Sequence, residues 1–579
     1  MRKLFRFLKN YKKELILGPF FKLLEAIFEL IVPIVMAKII DNGIGNNDSD
    51  YILKMSIVIV ILGICGLGFA LTCQYLAAKC AFGFGTELRT ALYKHINSLS
   101  YSGIDKIGVA SLINRLSNDT NTVQGGVNMF IRLAVRAPFL IIGAAVMAMT
   151  IDLKLSVIFL IVTPIVSFII YIIMSRTIPL YKKTQQKLDK AATITREDLE
   201  GTRVIRAFSR QQEEIDEFNK ACNDLTDNMM IAGKISAILN PVSFMIMNLA
   251  IVAVIWFGGL RINSGSLTQG ELTAFVNYIT QISLTLVVFA NLLVIFTKAI
   301  ASANRINEVF DCKPDICSGK IDNINKNDYK NSIEFKNVSF TYNGAGDKSL
   351  ENISFEIKKG EMLGIIGGTG SGKSTLVNLI PRFYDATQGE IVICGENVKN
   401  YDTDTLRKSI GVVPQKAVLF TGTVRENMKW AKADADDEEI ITALKTAQAW
   451  EFVEKLPQKL DTPISQGGKN LSGGQKQRLS IARAFVGKPE IIILDDSTSA
   501  LDYSTDLAFR HAIREQMKDT TIVMVSQRAT SLKDADKIIV MDDGKIVGMG
   551  KHSELLENCH VYSEIYNSQL SNKEENEDA

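Results

Sequence analysis

Between Gly367 and Thr375 the chain reads Gly-Gly-Thr-Gly-Ser-Gly-Lys-Ser-Thr, a combination of residue types suited to holding phosphate. It fits the pattern G-x-x-x-x-G-K-[ST], with Gly367, Gly372, Lys373 and Ser374 at the fixed positions and Gly370 and Thr375 beside them. Glycines let backbone N–H groups close around phosphate oxygens at a helix N-terminus, where the dipole favours anions. Lys373 is placed to reach the β- and γ-phosphates of a nucleotide, and Ser374 to ligate Mg2+. Further along, the apolar run Ile491 to Leu494 ends in Asp495. A buried strand that ends in a carboxylate can hold Mg2+ through its water shell. The second pattern is common by itself; paired with the first it predicts a nucleotide site.

The flanking residues predict the elements that must position these groups. Met362 to Ile366 reads as an apolar strand and Leu376 to Ile380 as the start of a helix, the context the phosphate pattern requires. Upstream, Ile333, Phe335, Val338 and Phe340 alternate or nearly alternate with polar residues, as in half-buried strands. From Met362 onward strands and helices alternate in the manner of an α/β domain.

The first 300 residues have a different texture. Long apolar stretches exceed what a soluble core helix uses and reach the roughly 20 residues that a membrane span needs. Ile52 to Ala78 holds one basic residue, Lys54, and Ile235 to Leu260 holds none. Six spans are predicted, near 15–40, 52–78, 130–150, 153–175, 235–261 and 272–300. The first and third are the weakest, since they contain Glu25 and Glu29, and Arg132 and Arg136. Residues 1–14 hold six Lys or Arg and 175–234 hold eleven, whereas 41–51 and 263–271 hold none, so both termini are expected to be cytoplasmic. Two linkers, roughly 79–129 and 175–234, are too long to be structureless and are predicted to carry the membrane helices onward. The basic, apolar start MRKLFRFLKNYKKE suits a helix lying at the membrane surface.

A net charge of +2 argues against a nucleic-acid partner. Cysteines 65, 73, 80, 222, 312, 317, 394 and 559 show no metal spacing and read as reduced packing residues. Residues 1–310 thus read as a membrane domain, 311–330 as a linker, 331–570 as a nucleotide-binding domain and 571–579 as a disordered acidic tail.

Leu471, Ser472, Gly473, Gly474 and Gln475, lying between the two nucleotide elements, resemble the signature of ABC ATPases. With six spans and two long linkers, nearly the whole chain resembles an ABC exporter half: a membrane α-helical bundle plus an α/β P-loop ATPase domain with a helical signature subdomain. The resemblance implies ATP and Mg2+ as cofactors. It implies that Tyr342 stacks on adenine and that Gln415 joins Mg2+ and the attacking water to the membrane domain. Ser499 to Asp502 resembles the loop that crosses to a partner ATPase, and Ser102 to Gln124 and Glu197 to Phe208 resemble the regions carrying the coupling helices. It further implies a dimer, with ATP held between one subunit's phosphate loop and the other's signature.

Two departures from that pattern touch hydrolysis. Asp496 stands where the family usually has Glu, which withdraws the carboxylate by about 1.5 Å; misplacement of that order can cost on the order of 100-fold in rate. Gln527 replaces the family's switch histidine, and an amide cannot become cationic or relay a proton. Ser465 and Gln466 also replace the usual Gly-Glu ahead of the signature. The pattern resembles the degenerate-site subunit of heterodimeric bacterial multidrug exporters. It implies a second half-transporter as partner, a hydrophobic or amphipathic cargo such as a drug or lipid, and a bacterial cell membrane. The alternatives are a homodimeric lipid or peptide exporter and an ATP-gated, channel-like subunit.

Glu25 and Glu29 share a face of the first span. One reading makes them a cation-attracting spot on the substrate path; the other makes them a structural pair satisfied by Lys22, Arg132 or Arg136. Asn248, Asn277, Gln281 and Asn291 could line a cavity or join helices.

Overall fold

A computed structural model describes residues 2–324 and 329–577. The chain forms two compact units, one of Met1–Asn97 and Val109–Asp311, the other of Ser98–Gly108 and Cys312–Ala579. Residues 325–328 of the expected linker and 578–579 of the expected tail lie outside the described residues.

The first unit is helical throughout. A 3-10 segment, Arg2–Tyr11, buries Leu4 and Leu8 and leads into α1 (Lys12–Lys38). Then follow α2 (Ser49–Ser98), α4 (Val109–Asn114), α5 (Thr120–Met129) and α6 (Arg136–Ile151), with π-helical turns at Arg115–Asp119 and Phe130–Ala134; α3 (Tyr101–Ile107), between α2 and α4 in the chain, belongs to the second unit. The remaining helices of this half are α7 (Leu153–Ala207), α8 (Gln211–Ala237), α9 (Leu239–Asn263) and α10 (Gln269–Asp311). At 50 and 55 residues, α2 and α7 run for roughly 75–80 Å at the α-helical rise, far beyond a hydrocarbon core of about 30 Å. The long linkers are therefore continuations of the spans, as their polar helical pattern predicts.

Five helical stretches among the described residues are long and apolar enough to cross a membrane. The sixth expected span, α1, is interrupted by Lys22, Glu25 and Glu29 and falls short on composition, yet it packs into the same bundle against α6 and α10. Tyr278 of α10 donates its hydroxyl to the Leu30 carbonyl of α1 at 2.7 Å. α2 leaves Leu53, Ile57, Ile61, Ile64 and Leu71 exposed, the apolar surface of a helix whose solvent is lipid. At the far end of the spans Asp152 caps α7 through Leu155 N–H and pairs with Arg261 at 2.5 Å.

In the second unit β1 (Asn331–Phe340) pairs with β2 (Leu350–Lys358) and later strands in an antiparallel sheet. Ile333, Phe335, Val338 and Phe340 are all buried; the lapse in their alternation coincides with a register shift after Phe335, where Asn337 takes a left-handed φ of 50°. Next come β3 (Met362–Gly367), α11 (Lys373–Leu379), β4 (Gln388–Ile393), β5 (Glu396–Asn397), α12 (Thr403–Lys408) and β6 (Ile410–Val413). The helical subdomain holds β7 (Gly422–Thr423), α13 (Val424–Met428), α14 (Asp437–Thr446), α15 (Trp450–Glu454), β8 (Pro463–Ile464) and α16 (Gly473–Phe485). The chain closes through β9 (Ile491–Asp495), α17 (Tyr503–Gln516), β10 (Thr521–Val525), α18 (Ala529–Leu532), β11 (Lys537–Asp542), β12 (Lys545–Gly550), α19 (His552–Asn558) and α20 (His560–Glu577).

The larger sheet has the order β12-β11-β3-β10-β9-β6, parallel except for β12. β3 and β10 are buried along their whole length, which explains why they read as unbroken apolar runs. α20 stays helical to Glu577, across most of the stretch expected to be a disordered tail; its Glu and Lys residues are good helix formers.

Candidate functional site

The phosphate loop leaves β3 at Gly367 and enters α11 at Lys373. Gly372, at the N-cap, has φ 95°, and a Cβ there would lie 2.9 Å from the Ser349 carbonyl, so glycine is required twice over. Lys373 is buried; its ammonium donates to the carbonyls of Gly367 (2.9 Å) and Gly368 (2.5 Å). Burial pulls its proton affinity below the ordinary lysine value, while the Asp496 and Asp495 carboxylates work the other way. The loop thus holds its own cation in place, in a hollow of about 270 Å³ lined by Gly370, Gly372, Lys373, Ser374 and Thr375.

β10 pairs with β3, and β9 with β10, in one parallel sheet, and the C-terminal ends of β9 and β10 deliver the acidic and amide groups. Ser374 Oγ donates to Asp495 Oδ1 at 3.2 Å, and burial raises the Asp495 carboxyl above its ordinary range. A hydroxyl and a carboxylate side by side form the hard-oxygen pair that suits Mg2+.

Asp496 has a left-handed backbone, φ 46°, fixed by its N–H donating to the Val525 carbonyl at 3.0 Å. Its Oδ2 accepts from Gln415 Nε2 at 3.5 Å and from Gln527 Nε2 at 3.4 Å. These bonds are long, and burial raises the Asp496 carboxyl against the opposing pull of Gln415 and Lys373. Tyr342 Oη donates to Thr375 Oγ at 3.2 Å, and its ring is braced edge-on by Phe340 (4.8 Å) and Tyr384 (5.3 Å). Residues from five separate stretches of sequence are thereby gathered around one loop.

The stretch Leu471 to Gln475 leads into α16. Ser472 caps α16: its Oγ accepts from Gln475 N–H at 3.3 Å while Gln475 Oε1 accepts from Ser472 N–H at 2.9 Å. Gly473 opens onto free space, and a Cβ on Gly474 would lie 3.3 Å from the Ala500 carbonyl, so this motif sits beside the Ser499–Asp502 loop. Ser465 Oγ donates to Asn470 Oδ1 at 3.0 Å, bracing the loop that leads into it.

Two features have no signal in the sequence. Gln569 of α20 donates to the Gln527 carbonyl at 2.7 Å and accepts from Ala529 N–H at 3.0 Å, clamping the backbone that carries Gln527. The region expected to couple, Ser102 to Gln124, divides: α3 belongs to the second unit and residues from Val109 onward to the first. Tyr101 packs on Phe383 at 4.6 Å and Tyr384 donates to Asp105 at 2.7 Å.

Residues 15–286 match the family model for the ABC transporter transmembrane region, and residues 350–499 match the ABC transporter model. The chain is 37% identical to the uncharacterized ABC transporter ATP-binding protein YfiB of Bacillus subtilis, across 98% of this chain and 99% of that one. The chain belongs to the ABC transporter family. This transporter is also 31% identical to an ATP-dependent lipid A-core flippase of Haemophilus influenzae, across 98% of its own length and 97% of the flippase. Its fold matches that of a bacterial Atm1-family ABC exporter solved with ATP bound, with a TM-score of 0.80, 22% identity and coverage of 96% and 99%. It is therefore an ATP-hydrolysing membrane transporter with an exporter fold, its membrane and ATPase regions fused in one chain.

Proposed function

We propose that this chain is one subunit of a two-subunit ATP-driven exporter of amphipathic compounds, contributing one slowly hydrolysing ATP site. The observation that carries the reading is the environment of Asp496. Its shortened carboxylate is tied to two glutamine amides, and the position next to it that could relay a proton holds Gln527. Lys373 and the phosphate-loop amides would hold the triphosphate, Tyr342 the base, and Ser374, Asp495 and Gln415 the Mg2+, which supplies charge neutralisation when bound.

The signature supports a partner. Ser472 caps the start of α16 and Gly473 beside it opens onto free space, an arrangement suited to receiving a second subunit's nucleotide. Leu199, Val204 and Phe208, at the far end of α7, are 73%, 60% and 74% exposed, an apolar surface suited to being covered by another chain. The basic-rich segments 1–14 and 175–234 support placing both termini in the cytoplasm of a bacterial cell. A relative named as a lipid A-core flippase favours a lipid-like cargo over a peptide.

The test is phosphate release by the purified chain with and without its partner half-transporter. Little turnover alone and restored turnover in the pair are expected. Robust turnover by the lone chain would overturn the reading and favour a homodimer.

A further inference from the structure

The phosphate loop adjoins a second, larger hollow. Tyr342 joins the two, because its hydroxyl donates to Thr375 Oγ at 3.2 Å while the residue lines the neighbouring space. That space measures about 800 Å³ and is bounded by Tyr342, Tyr384 and, from α3, Ser102, Asp105 and Lys106. Phe340 and Tyr384 meet the Tyr342 ring at 83° and 85°, so neither of these rings lies flat against it. The ring thus keeps room for a flat partner, as a base-stacking residue must.

The polar lining is acidic. Asp105, Asp315 and Asp385 stand against one ammonium, Lys106. The three carboxylates differ in what they have left to offer. Asp385 gives both oxygens to Arg382, one to Nε at 2.7 Å and the other to Nη2 at 3.2 Å. Asp315 accepts from the Ser102 hydroxyl. Asp105 Oδ2 accepts from Tyr384 Oη at 2.7 Å, and among the described residues Asp105 Oδ1 has no hydrogen bond. Tyr384 is also the ring that braces Tyr342, at 5.3 Å. Two contacts therefore hold the Asp105 carboxylate at a set offset from the stacking ring.

A carboxylate accepts hydrogen bonds and donates none. Beside a stacking ring it favours a base that carries an amino group over one that lacks it, because its hydration is then replaced. Adenine carries that group on its six-membered ring, the end of the purine away from the ribose and phosphates. With the phosphates in the loop and the base on Tyr342, this end enters the hollow that Asp105 lines.

We propose that Asp105 selects adenine by accepting a hydrogen bond from the 6-amino group of the base stacked on Tyr342. This selection rests on the nucleotide-site reading in which Tyr342 holds the base. It also gives α3 a part in binding. The chain joins α3 to the first unit at both ends, so an amino group held by Asp105 ties that segment to an occupied site.

The test uses the purified full-length chain and displacement of trinitrophenyl-ATP by ATP or by purine riboside triphosphate, which lacks the 6-amino group. ATP should bind about fivefold more tightly. Asp105→Ala should bring the two within about 1.5-fold, chiefly by weakening ATP, while Asp105→Asn, whose amide oxygen still accepts, should keep part of the preference. Asp315→Ala should leave it whole. The readout is a ratio of two ligands on one protein, so general damage to the fold lowers both and does not imitate the result. At equal saturation, ATP should also slow proteolysis within residues 98–108 more than the analogue does. Equal affinities in the native chain, an intact preference in Asp105→Ala, its loss in Asp315→Ala, or equal protection of residues 98–108 would each overturn the assignment. Tyr342→Ala should weaken both nucleotides alike, by about fivefold. Unchanged affinity there would overturn the stacking role of Tyr342 and this proposal with it. Weakened affinity, with a preference that ignores Asp105, would overturn this proposal alone.

Discussion

Asp496 combines a left-handed backbone with a carboxylate held by Gln415 and Gln527, and both neighbours set how it can act. Lengthening it and restoring a titratable partner, Asp496→Glu with Gln527→His, should raise phosphate release at this site by on the order of 100-fold. No change would place the fault in geometry beyond these two side chains. Adding Gln569→Ala to that pair should take back a roughly threefold part of the gain, because the clamp on Gln527 and Ala529 is removed. Lys373→Ala should weaken ATP binding by at least about tenfold, read by displacement of a fluorescent nucleotide. Its ammonium already lies inside the loop at 2.9 and 2.5 Å from two carbonyls, so the loss combines charge with loop geometry.

At the scale of elements, α3 and the α19–α20 pair carry separable predictions. Tyr101→Ala strips the ring that packs on Phe383 and should leave nucleotide affinity within about threefold while exposing residues 98–108 to limited proteolysis. Unchanged cleavage would show that Tyr384 and Asp105 suffice to hold α3. His552 Nδ1 lies 2.7 Å from the hydroxyl of the buried Tyr562, and burial, aided by Lys533, lowers its proton affinity. The folded state therefore prefers neutral His552. Its contribution to stability is complete above the unfolded histidine value of about 6.5 and is lost as pH falls through the lower folded value. The melting temperature of the native chain should drop more between pH 7.5 and pH 5 than that of His552→Gln, measured side by side. An equal drop would show that other groups dominate the acid limb.

For the whole molecule, the phosphate loop and the signature motif are built on separate elements of one chain, the first between β3 and α11 and the second at the start of α16. The long helices α2 and α7 extend well past any hydrocarbon core, and the chain leaves the first unit at Asn97 and rejoins it at Val109. The intervening α3 therefore has covalent links to the first unit at both ends while belonging to the second. A slowly hydrolysing site in such a molecule would hold nucleotide through repeated turnovers elsewhere, and phosphate release by the lone chain is the measurement on which this depends.

The sequence by itself determined the class of molecule. Continuous apolar runs at Met362–Ile366 and Ile491–Leu494 announce strands buried on both faces, and the glycine spacing before Lys373 announces the loop, because both patterns are local. The long apolar stretches likewise announce the spans. Only the tertiary structure decided which partners each polar residue has. Glu25 and Glu29 share a helical face in any reading, but the choice of Lys22 and Arg136 as partners depends on how α1 lies against the next helix. Gln569 reaches Gln527 across a long stretch of sequence, which no periodicity encodes. The α3 segment reads as part of a membrane linker and yet packs with Phe383 and Tyr384. Backbone pattern is written residue by residue along the chain, whereas pairing of side chains is settled by packing between elements distant in sequence.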